Sequence, residues 1–304
     1  MTVWACGKEG EIMYKPTWQS RVFDVFNTLF MIALTIITFY PLWYIFCASL
    51  SDASSYISHS GLLLWPIKPN IDAYKLAFDH PLLIPSFFNT VFVVVIGTTL
   101  SVLFSAIIAY FLSRKEVPFK RPIALMLVFT MYFSGGLIPF YFTVKKLNLD
   151  NTLWVMIIPY MLTMYNVLVT RSGFDAVPDS IEDAASIDGA GHIRILFQIY
   201  MPLIKPTLAV VTLYYAVTYW NSWFGASIFI QDRDKYPLQL VLRQVLITND
   251  TRDMTFGVDA GNKMAINETL KHAVSVIATV PILCLYPFIQ KYFVKGVMVG
   301  AVKG

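Results

Sequence analysis

The residues best suited to chemistry lie in one stretch, EDAASIDGAGHIRILFQIYMP, which covers residues 182–202. Glu182 and Asp183 place two carboxylates side by side, and the small residues Ala184 and Ala185 follow directly. Small side chains let a helix lie close to another surface, and the glycines that come next allow a sharp turn. The pattern predicts contact with a groove on a partner protein.

Residues for catalysis or metal binding form no recognisable pattern elsewhere in the sequence. The four histidines lack metal-binding spacing, and the three cysteines are too far apart for a zinc site or a disulfide framework. No glycine-rich phosphate loop ending in Gly-Lys-Ser or Gly-Lys-Thr is present. The net charge of +4 is too small to indicate a nucleic-acid partner. We therefore expect no enzyme activity, no metal and no cofactor, with any ATP bound by partner subunits.

The elements that hold this stretch are predicted to be membrane-spanning helices. Hydrophobic residues make up 57% of the 304 residues and charged residues 14%, whereas soluble domains carry about 25% charged residues. A spanning helix needs about 20 predominantly apolar residues. Six segments meet this requirement, namely 22–48, 85–112, 123–144, 152–171, 204–230 and 273–291. The sequence predicts an all-α integral membrane protein with six transmembrane helices.

The middles of these six segments contain no Asp, Glu, Lys, Arg or His. Ionisable groups are costly within a bilayer, and ion-coupled carriers keep some because the ion requires them. The absence of ionisable residues from the middles of the spans argues against an ion-coupled carrier and against a voltage sensor. If this protein pumps a solute, its energy must come from a partner.

Lys and Arg residues predict the orientation of the chain, because short cytoplasmic loops carry an excess of them. With the N-terminus inside, 13 of the 23 Lys and Arg residues fall on the inner side and ten on the outer side. Six of the outer ones lie in the connection 231–272, and long loops count less in this rule. We predict an N-in/C-in protein with the 182–202 stretch in the cytoplasm.

The sequence around the two carboxylates predicts a helix–turn–helix. Ser180 is predicted to cap the first helix, with Asp183 completing a capping box. The run Gly-Ala-Gly that starts at Gly189 is predicted to end that helix, since glycine adopts positive φ without steric cost. An amphipathic segment follows, and Pro202 marks the start of the fifth span. The result is a cytoplasmic hairpin over residues 179–200.

Residues 182–202 resemble the signature loop of the permease subunits of binding-protein-dependent ABC importers. That loop reads Glu-Ala-Ala, three residues, Gly, nine residues, then Ile-x-Leu-Pro. The matching residues here are Asp183, Ala184, Ala185, Gly189, Ile199 and Pro202. Asp183 replaces the family's Glu and Met201 its Leu, while Glu182 lies one place early and is a candidate substitute. The resemblance implies that these residues form the contact with an ATPase.

The resemblance extends over most of the chain. LLLWPIKPNIDAYKLAF is similar to the family's first outer loop, FFNT to the start of its second span and YWNSWF to its fifth. With the tail KYFVKGVMVGAVKG, these segments resemble the carbohydrate branch and its six-span maltose-type permease. SGGLIPFYFTVKKLNLDN and the tail are most similar to permeases for fragments of complex polysaccharides.

The resemblance implies a type-1 ABC importer permease fold in the bacterial cytoplasmic (inner) membrane, in contact with the lipid bilayer. The implied partners are a second permease subunit in a heterodimer, two cytoplasmic ATPase subunits and an extracytoplasmic substrate-binding protein. The implied function is ATP-driven import of oligosaccharides by alternating access. The alternatives are a permease of the same architecture for another solute, and a secondary carrier or membrane enzyme.

Aromatic and amide residues near the outer ends of two spans are candidates for a substrate pathway. Tyr215, Tyr219 and Trp223 repeat at helical spacing with Asn221 nearby, and Asn89 lies in the second span. Aromatic faces and an amide suit a sugar. An aromatic belt at the membrane surface or packing between helices is the favoured explanation of the tyrosines and tryptophan, and Asn89 either lines the pathway or forms hydrogen bonds between helices.

The chain is predicted to divide into three parts. Residues 1–84 hold the N-terminal segment, the first span and an outer loop, and residues 85–291 form the core transmembrane domain. The connection 231–272 within that core is predicted to face the binding protein, as in related permeases. Residues 292–304 form a cytoplasmic tail, and the basic residues of the C-terminal region either anchor it at the inner surface or reach the ATPases. Those residues are Lys291, Lys295 and Lys303.

Overall fold

The computed structural model describes residues 18–247 and 266–284, and within these two ranges all regular structure is helical. The first helices are α1 (Trp18–Ser49), α2 (Ala53–Ile57), α3 (Asp72–Asp79), α4 (Leu83–Ser113), α5 (Lys120–Tyr132), α6 (Leu137–Lys146), α7 (Met164–Asp175) and α8 (Asp179–Ile187). They are followed by α9 (His192–Arg194), α10 (Met201–Leu203), α11 (Lys205–Trp220), α12 (Phe224–Phe229), α13 (Leu238–Ile247) and α14 (266–284). Short 3-10 segments lie at Leu153–Met156, Ile158–Tyr160 and Arg233–Lys235, and a π-helical turn at Ile195–Tyr200 joins α9 to α10.

Two of the predicted spans are single long helices. Helix α1 has 32 residues and contains the segment 22–48, and α4 has 31 residues and contains the segment 85–112. Both are long and apolar enough to cross a membrane. A proline at position 41 lies inside α1 without ending it, as is tolerated in membrane helices.

The predicted third span is not one helix. Residues 123–144 form α5 and α6, whose axes differ by 114°. The break falls at the two glycines that follow Ser134, and Gly136 has a φ of 86° and precedes α6 directly. A residue with positive φ cannot continue a right-handed helix, so the sharp bend has a local cause in the sequence.

The fourth predicted span is also bent, and the fifth meets the segment that precedes it at a sharp angle. Residues 152–171 form two 3-10 segments and α7, with a bend of 53° between the 3-10 run and the helix. The run that starts at His192 meets the helices of the 204–230 segment at an angle of 87°. In the described ranges two helices meet the length and composition of a span, or up to five when each bent pair counts as one.

The remaining predictions fall partly outside the described ranges. The predicted sixth span, 273–291, begins within α14, but its last seven residues lie beyond position 284. The middle of the connection 231–272, the end of the 85–291 core and the tail 292–304 also lie outside the described residues, as do the three tail lysines named above. The first 17 residues of the 1–84 segment lie outside them too.

Helix α4 is the central element of the described fold, because it packs against α7, α11 and α13. The face it turns toward α11 carries small and hydroxyl residues. Tyr215 and Tyr219 of α11 are buried there, and their hydroxyl oxygens lie 2.7 Å from Ser105 Oγ and 2.9 Å from Ser101 Oγ. Small residues and interhelical hydrogen bonds of this kind hold helices together where the surroundings are apolar.

One glycine makes this close approach possible. The ring of Tyr219 lies against Gly97, and a Cβ atom at position 97 would be only 2.8 Å from Tyr219 Cζ. Non-bonded carbon atoms are normally about 3.5–4.0 Å apart. The side chain of Tyr219 therefore occupies the space that any other residue at position 97 would need.

Much of the outer surface of the described helices is apolar. Large apolar side chains project outward along α1, including Phe23, Phe26, Ile36, Ile37 and Phe39, and each is more than half exposed. Exposed apolar surface on this scale marks contact with lipid or with another protein.

Candidate functional site

The predicted hairpin is present as two helical segments joined at Gly189. Helix α8 ends at Ile187, and Gly189 has a φ of 76°, as the sequence predicts. The turn is closed by backbone hydrogen bonds in which Gly189 N–H donates to Ser186 O at 3.0 Å and Ala190 N–H donates to Ala185 O at 2.9 Å. Paired bonds of this type satisfy carbonyl groups that a helix end leaves without partners.

The hairpin begins at residue 179 as predicted, but the predicted cap of its first helix, Ser180, is wrong by two residues. Helix α8 begins at Asp179, so Ser180 lies inside the helix, and the residue at the cap position is Pro178, which makes no side-chain cap. The reason is that a proline disfavours helical backbone in the residue before it. The chain therefore enters the helix directly after Pro178, and the predicted capping box does not form.

The first helix of the hairpin is anchored to the end of α4 by an ion pair. The Arg114 guanidinium donates from Nη1 to Glu182 Oε2, and the same Nη1 donates to the hydroxyl oxygen of Tyr200 at 2.8 Å. The side chains of Arg114 and Glu182 are 11% and 20% exposed. A charge-assisted contact shielded from water to this degree is stronger than an exposed surface pair.

Two tyrosines enclose this ion pair. The Arg114 guanidinium carbon lies 4.9 Å from the ring centre of Tyr110 and 4.5 Å from that of Tyr200. The Tyr200 hydroxyl also donates to Glu182 Oε2 at 3.3 Å, and the Tyr110 hydroxyl donates to Glu182 Oε1 at 3.4 Å. The guanidinium thus has aromatic faces beside it as well as a carboxylate. One network connects α4, α8 and the π-helical turn.

A second ion pair lies at the exposed rim of the same contact. Lys115 Nζ is 2.5 Å from Asp179 Oδ2, and both side chains are more than half exposed. This hydrogen bond and charge lower the pKa of Asp179 and raise that of Lys115. An exposed pair contributes little to stability, so the anchoring of the hairpin rests on Arg114 and Glu182.

The residues that match the signature loop divide into buried and exposed groups. Ala185 is 8% exposed and packs against the chain's own core, and Ile199 is partly buried. Asp183, Ala184 and Gly189 are exposed, as is Pro202. Because Glu182 is held by Arg114, Asp183 is the carboxylate of the pair that faces outward.

Two exposed apolar residues of the hairpin were not predicted from the sequence. Ile187 and Ile193 flank the Gly189 turn and are 86% and 78% exposed. An isoleucine among acids at an exposed helix end is the sequence signal that could have identified Ile187. Arg114 was detectable too, since it is the first cation after an apolar span and the hairpin supplies the carboxylates.

An open groove of about 1110 Å³ runs beside the hairpin. It is lined by apolar residues of α4 and of the π-helical turn together with Arg114, Lys115, Glu182 and Asp183. The hairpin therefore presents a mixed apolar and charged surface, as interfaces between proteins do.

The five candidate pathway residues lie in different environments in the structure. Tyr215 and Tyr219 are buried between helices, where packing accounts for them and a belt at the membrane surface does not. Asn89 donates from Nδ2 to the carbonyl oxygens of Asp234 and Tyr236 at 2.7 and 3.1 Å.

The other two pathway residues, Asn221 and Trp223, line an open groove together with residues of α13 and α14.

In the described ranges, no group of three or more His, Cys, Asp or Glu side chains lies close enough together to hold a metal ion.

Comparison with known proteins gives a consistent family. The sequence model of the family described as "Binding-protein-dependent transport system inner membrane component" matches residues 5–299. The polygalacturonan/rhamnogalacturonan transport system permease protein YtcP of Bacillus subtilis is 36% identical over 286 residues, which cover 94% of this chain and all of the relative. Protein LplC of the same organism is 38% identical over 288 residues, covering 95% of this chain and 97% of the relative.

A solved structure has the same fold. One chain of a bacterial ABC transporter involved in the import of the acidic polysaccharide alginate superposes with a TM-score of 0.83 at 29% sequence identity. The match covers 92% of this chain and all of the other. The described helices thus have the type-1 ABC permease fold, as the sequence predicts.

Proposed function

This chain belongs to the family of inner membrane components of binding-protein-dependent transport systems, and from that premise we propose that it is one permease of an ATP-driven importer of oligosaccharides. The observation that carries the proposal is the hairpin, which is exposed at its tip and anchored to a transmembrane helix at its base. The geometry suits a part that receives force from a partner and passes it to the helices.

Coupling follows from the rigidity of this connection. An ATPase that moves the exposed surface around Asp183 and Ile187 also moves Glu182, because all three lie on α8. Glu182 is tied to Arg114 at the end of α4, and α4 packs along α7 and α11. Movement of the hairpin therefore reaches the centre of the helix bundle. ATP drives the change only if it binds one arrangement of the complex better than the other.

The transported solute is proposed from relatives that resemble this chain along nearly its whole length. YtcP is described as a permease for polygalacturonan and rhamnogalacturonan, and the structurally similar transporter as an importer of alginate. Both descriptions name polymers of acidic sugars. We assign fragments of acidic polysaccharides as the substrate class.

The partners proposed are a second permease, two cytoplasmic ATPase subunits that bind ATP and an extracytoplasmic binding protein. The broad apolar surfaces of the described helices leave room for both lipid and a second permease. The proposed location is the bacterial cytoplasmic membrane. The proposed topology has six spans, with the hairpin and both termini in the cytoplasm, consistent with the excess of Lys and Arg on that side.

The proposal is tested by reconstituting the complete complex in vesicles and measuring uptake of labelled solutes delivered by the binding protein. We expect uptake of uronate-containing oligosaccharides that requires ATP and the ATPase subunits, and no uptake of amino acids. Uptake of an amino acid instead, or oligosaccharide uptake that continues without the ATPases, would contradict the proposal.

A further inference from the structure

A second polar groove lies far along the chain from the hairpin, where α11 ends. Its volume is about 380 Å³, which falls at the lower end of the roughly 300–1,000 Å³ found for small-molecule sites. Its lining residues are Asn221, Trp223, Gln239, Leu242, Arg243, Leu246, Ser275, Ala278 and Thr279. Among the residues that the structure describes, no acidic side chain lines it. The groove is held together by Trp220, whose indole N–H donates to Ala278 O at 3.1 Å and so joins α11 to α14.

The distinctive group in this groove is the guanidinium of Arg243. Its central carbon lies 3.7 Å from the ring centre of Trp223, so the guanidinium is stacked on the indole. No carboxylate of the described residues pairs with Arg243, and the side chain is exposed. Stacking occupies the face of a guanidinium and leaves its in-plane N–H donors free. Trp223 thus positions a cation whose hydrogen-bonding edge has no partner in the described part of the chain.

We propose that this groove binds one uronate unit of the transported oligosaccharide, with Arg243 binding the sugar carboxylate. A planar guanidinium matches a carboxylate through two parallel N–H to O hydrogen bonds. This inference rests on the function proposed above and identifies the chemical feature that this permease recognises. It also assigns Trp223 a positioning role, because its ring face is covered by Arg243 and not by the sugar.

The remaining polar residues of the groove suit the hydroxyl groups of the same sugar. Asn221 Nδ2 donates to Val217 O at 2.9 Å, which leaves the side-chain oxygen of Asn221 free to accept. The hydroxyls of Ser275 and Thr279 donate to backbone oxygens one turn earlier in α14 at 2.8 and 2.7 Å. Each of these hydroxyl oxygens can still accept a hydrogen bond. The groove therefore combines one carboxylate site with several acceptors for O–H groups.

The first test is a charge series at position 243 in the reconstituted complex, measuring uptake of a uronate oligosaccharide. We expect Arg243→Gln to lower uptake about tenfold, the loss typical of one charge-assisted interaction. Arg243→Lys retains the cation but loses the paired hydrogen bonds and the stacking on Trp223, so its uptake should lie between those of wild type and Arg243→Gln. Arg243→Glu repels the carboxylate and should transport less than Arg243→Gln. Lys75→Gln, at an exposed position of α3 that does not line the groove, is the matched control and should leave uptake unchanged.

Equal uptake by the Gln and Glu variants would overturn the assignment, because loss of stacking on Trp223 affects both in the same way and only a bound carboxylate distinguishes them. ATP hydrolysis stimulated by the binding protein serves as the measure of assembly and should stay within about twofold of wild type. Absence of oligosaccharide uptake by the wild-type complex would instead overturn the function proposed above. The two failures are therefore distinguishable.

A second test detects the contact directly. In Arg243→Lys, a carbodiimide should join the lysine Nζ to the uronate carboxylate as an amide, and mass spectrometry should find the sugar on the peptide that contains position 243. The wild-type protein is the control, since arginine does not react and any adduct on other lysines is background. An adduct pattern identical in both proteins would contradict binding at this groove.

Discussion

At the scale of single residues, the two neighbouring carboxylates of the hairpin have different tasks. The sequence places Glu182 and Asp183 together but does not show which one faces the partner. The structure ties Glu182 to Arg114 and leaves Asp183 exposed. Sequence reading could not resolve this, because the Arg114 partner is 68 residues away and the contact depends on how the helices pack.

The first prediction separates these two tasks. Glu182→Ala leaves the partly buried Arg114 without its carboxylate, which should loosen the hairpin by on the order of 2 kcal/mol. Asp183→Ala should leave the hairpin as ordered as in wild type and weaken only the attachment of the ATPase. Hydrogen exchange of residues 179–203 measures the first effect, and co-purification of the ATPase measures the second.

The exchanged pair Arg114→Glu with Glu182→Arg is the control. If the ion pair anchors the hairpin, the double variant should recover part of the hydrogen-exchange protection that each single variant loses. Unchanged protection in Glu182→Ala would show that the hairpin is held by other contacts.

At the scale of elements, the sequence predicts where apolar segments lie better than it predicts their shape. The two long helices α1 and α4 match the predicted segments closely. The segment 123–144 has the same composition but bends by 114° at a glycine with positive φ. The apolar composition of a segment indicates only that it can lie in lipid. The bend between α5 and α6 depends on the backbone conformation of one or two residues. The Gly189 turn was predictable because its glycine stands at the end of a short polar helix.

The second prediction concerns the packing of α4 on α11. Gly97→Val places side-chain atoms where the Tyr219 ring lies, so one of the helices must move. We expect a loss of about 2 kcal/mol in stability, typical of overpacking, and a lower temperature of aggregation in detergent. Val95→Phe is the matched control on the same helix, because Val95 is 55% exposed and the larger ring has room. Equal effects of both variants would show that Gly97 is not a site of close approach.

At the scale of the whole molecule, the central question is which ends of the helices face the cytoplasm. The excess of Lys and Arg predicts that the hairpin and the loop after α4 lie inside. The described structure joins these two segments through Arg114 and Lys115 and places them at one end of α4. Orientation across the bilayer remains a prediction from charge, since helix packing is the same in either orientation.

The third prediction tests this orientation by cysteine labelling in sealed vesicles. In a background without the three native cysteines, Asp183→Cys should react only with a reagent on the cytoplasmic side, and Asp72→Cys only with one on the outer side. Both positions are exposed, so accessibility within the chain does not limit either reaction. Labelling of both from the same side would contradict the proposed topology.

The coupling role of the hairpin is tested by the substitution Gly189→Val. Position 189 has a φ of 76°, which disfavours a β-branched residue, and the space beside it is open in this chain. The added side chain should therefore disturb the turn and obstruct a partner while leaving the helix bundle in place. Gly61→Val is the matched control, because Gly61 also has positive φ and open space but lies in the predicted outer loop.

The measurement is ATP hydrolysis stimulated by the binding protein in reconstituted vesicles, together with the amount of ATPase that co-purifies. We expect normal membrane insertion and normal assembly with the second permease for both variants. Gly189→Val should lose most ATPase attachment and at least about tenfold in stimulated hydrolysis, as expected when an interface loses roughly 1.4 kcal/mol or more. Gly61→Val should match wild type in both measurements. Wild-type attachment and hydrolysis in Gly189→Val would show that the hairpin does not couple this permease to an ATPase.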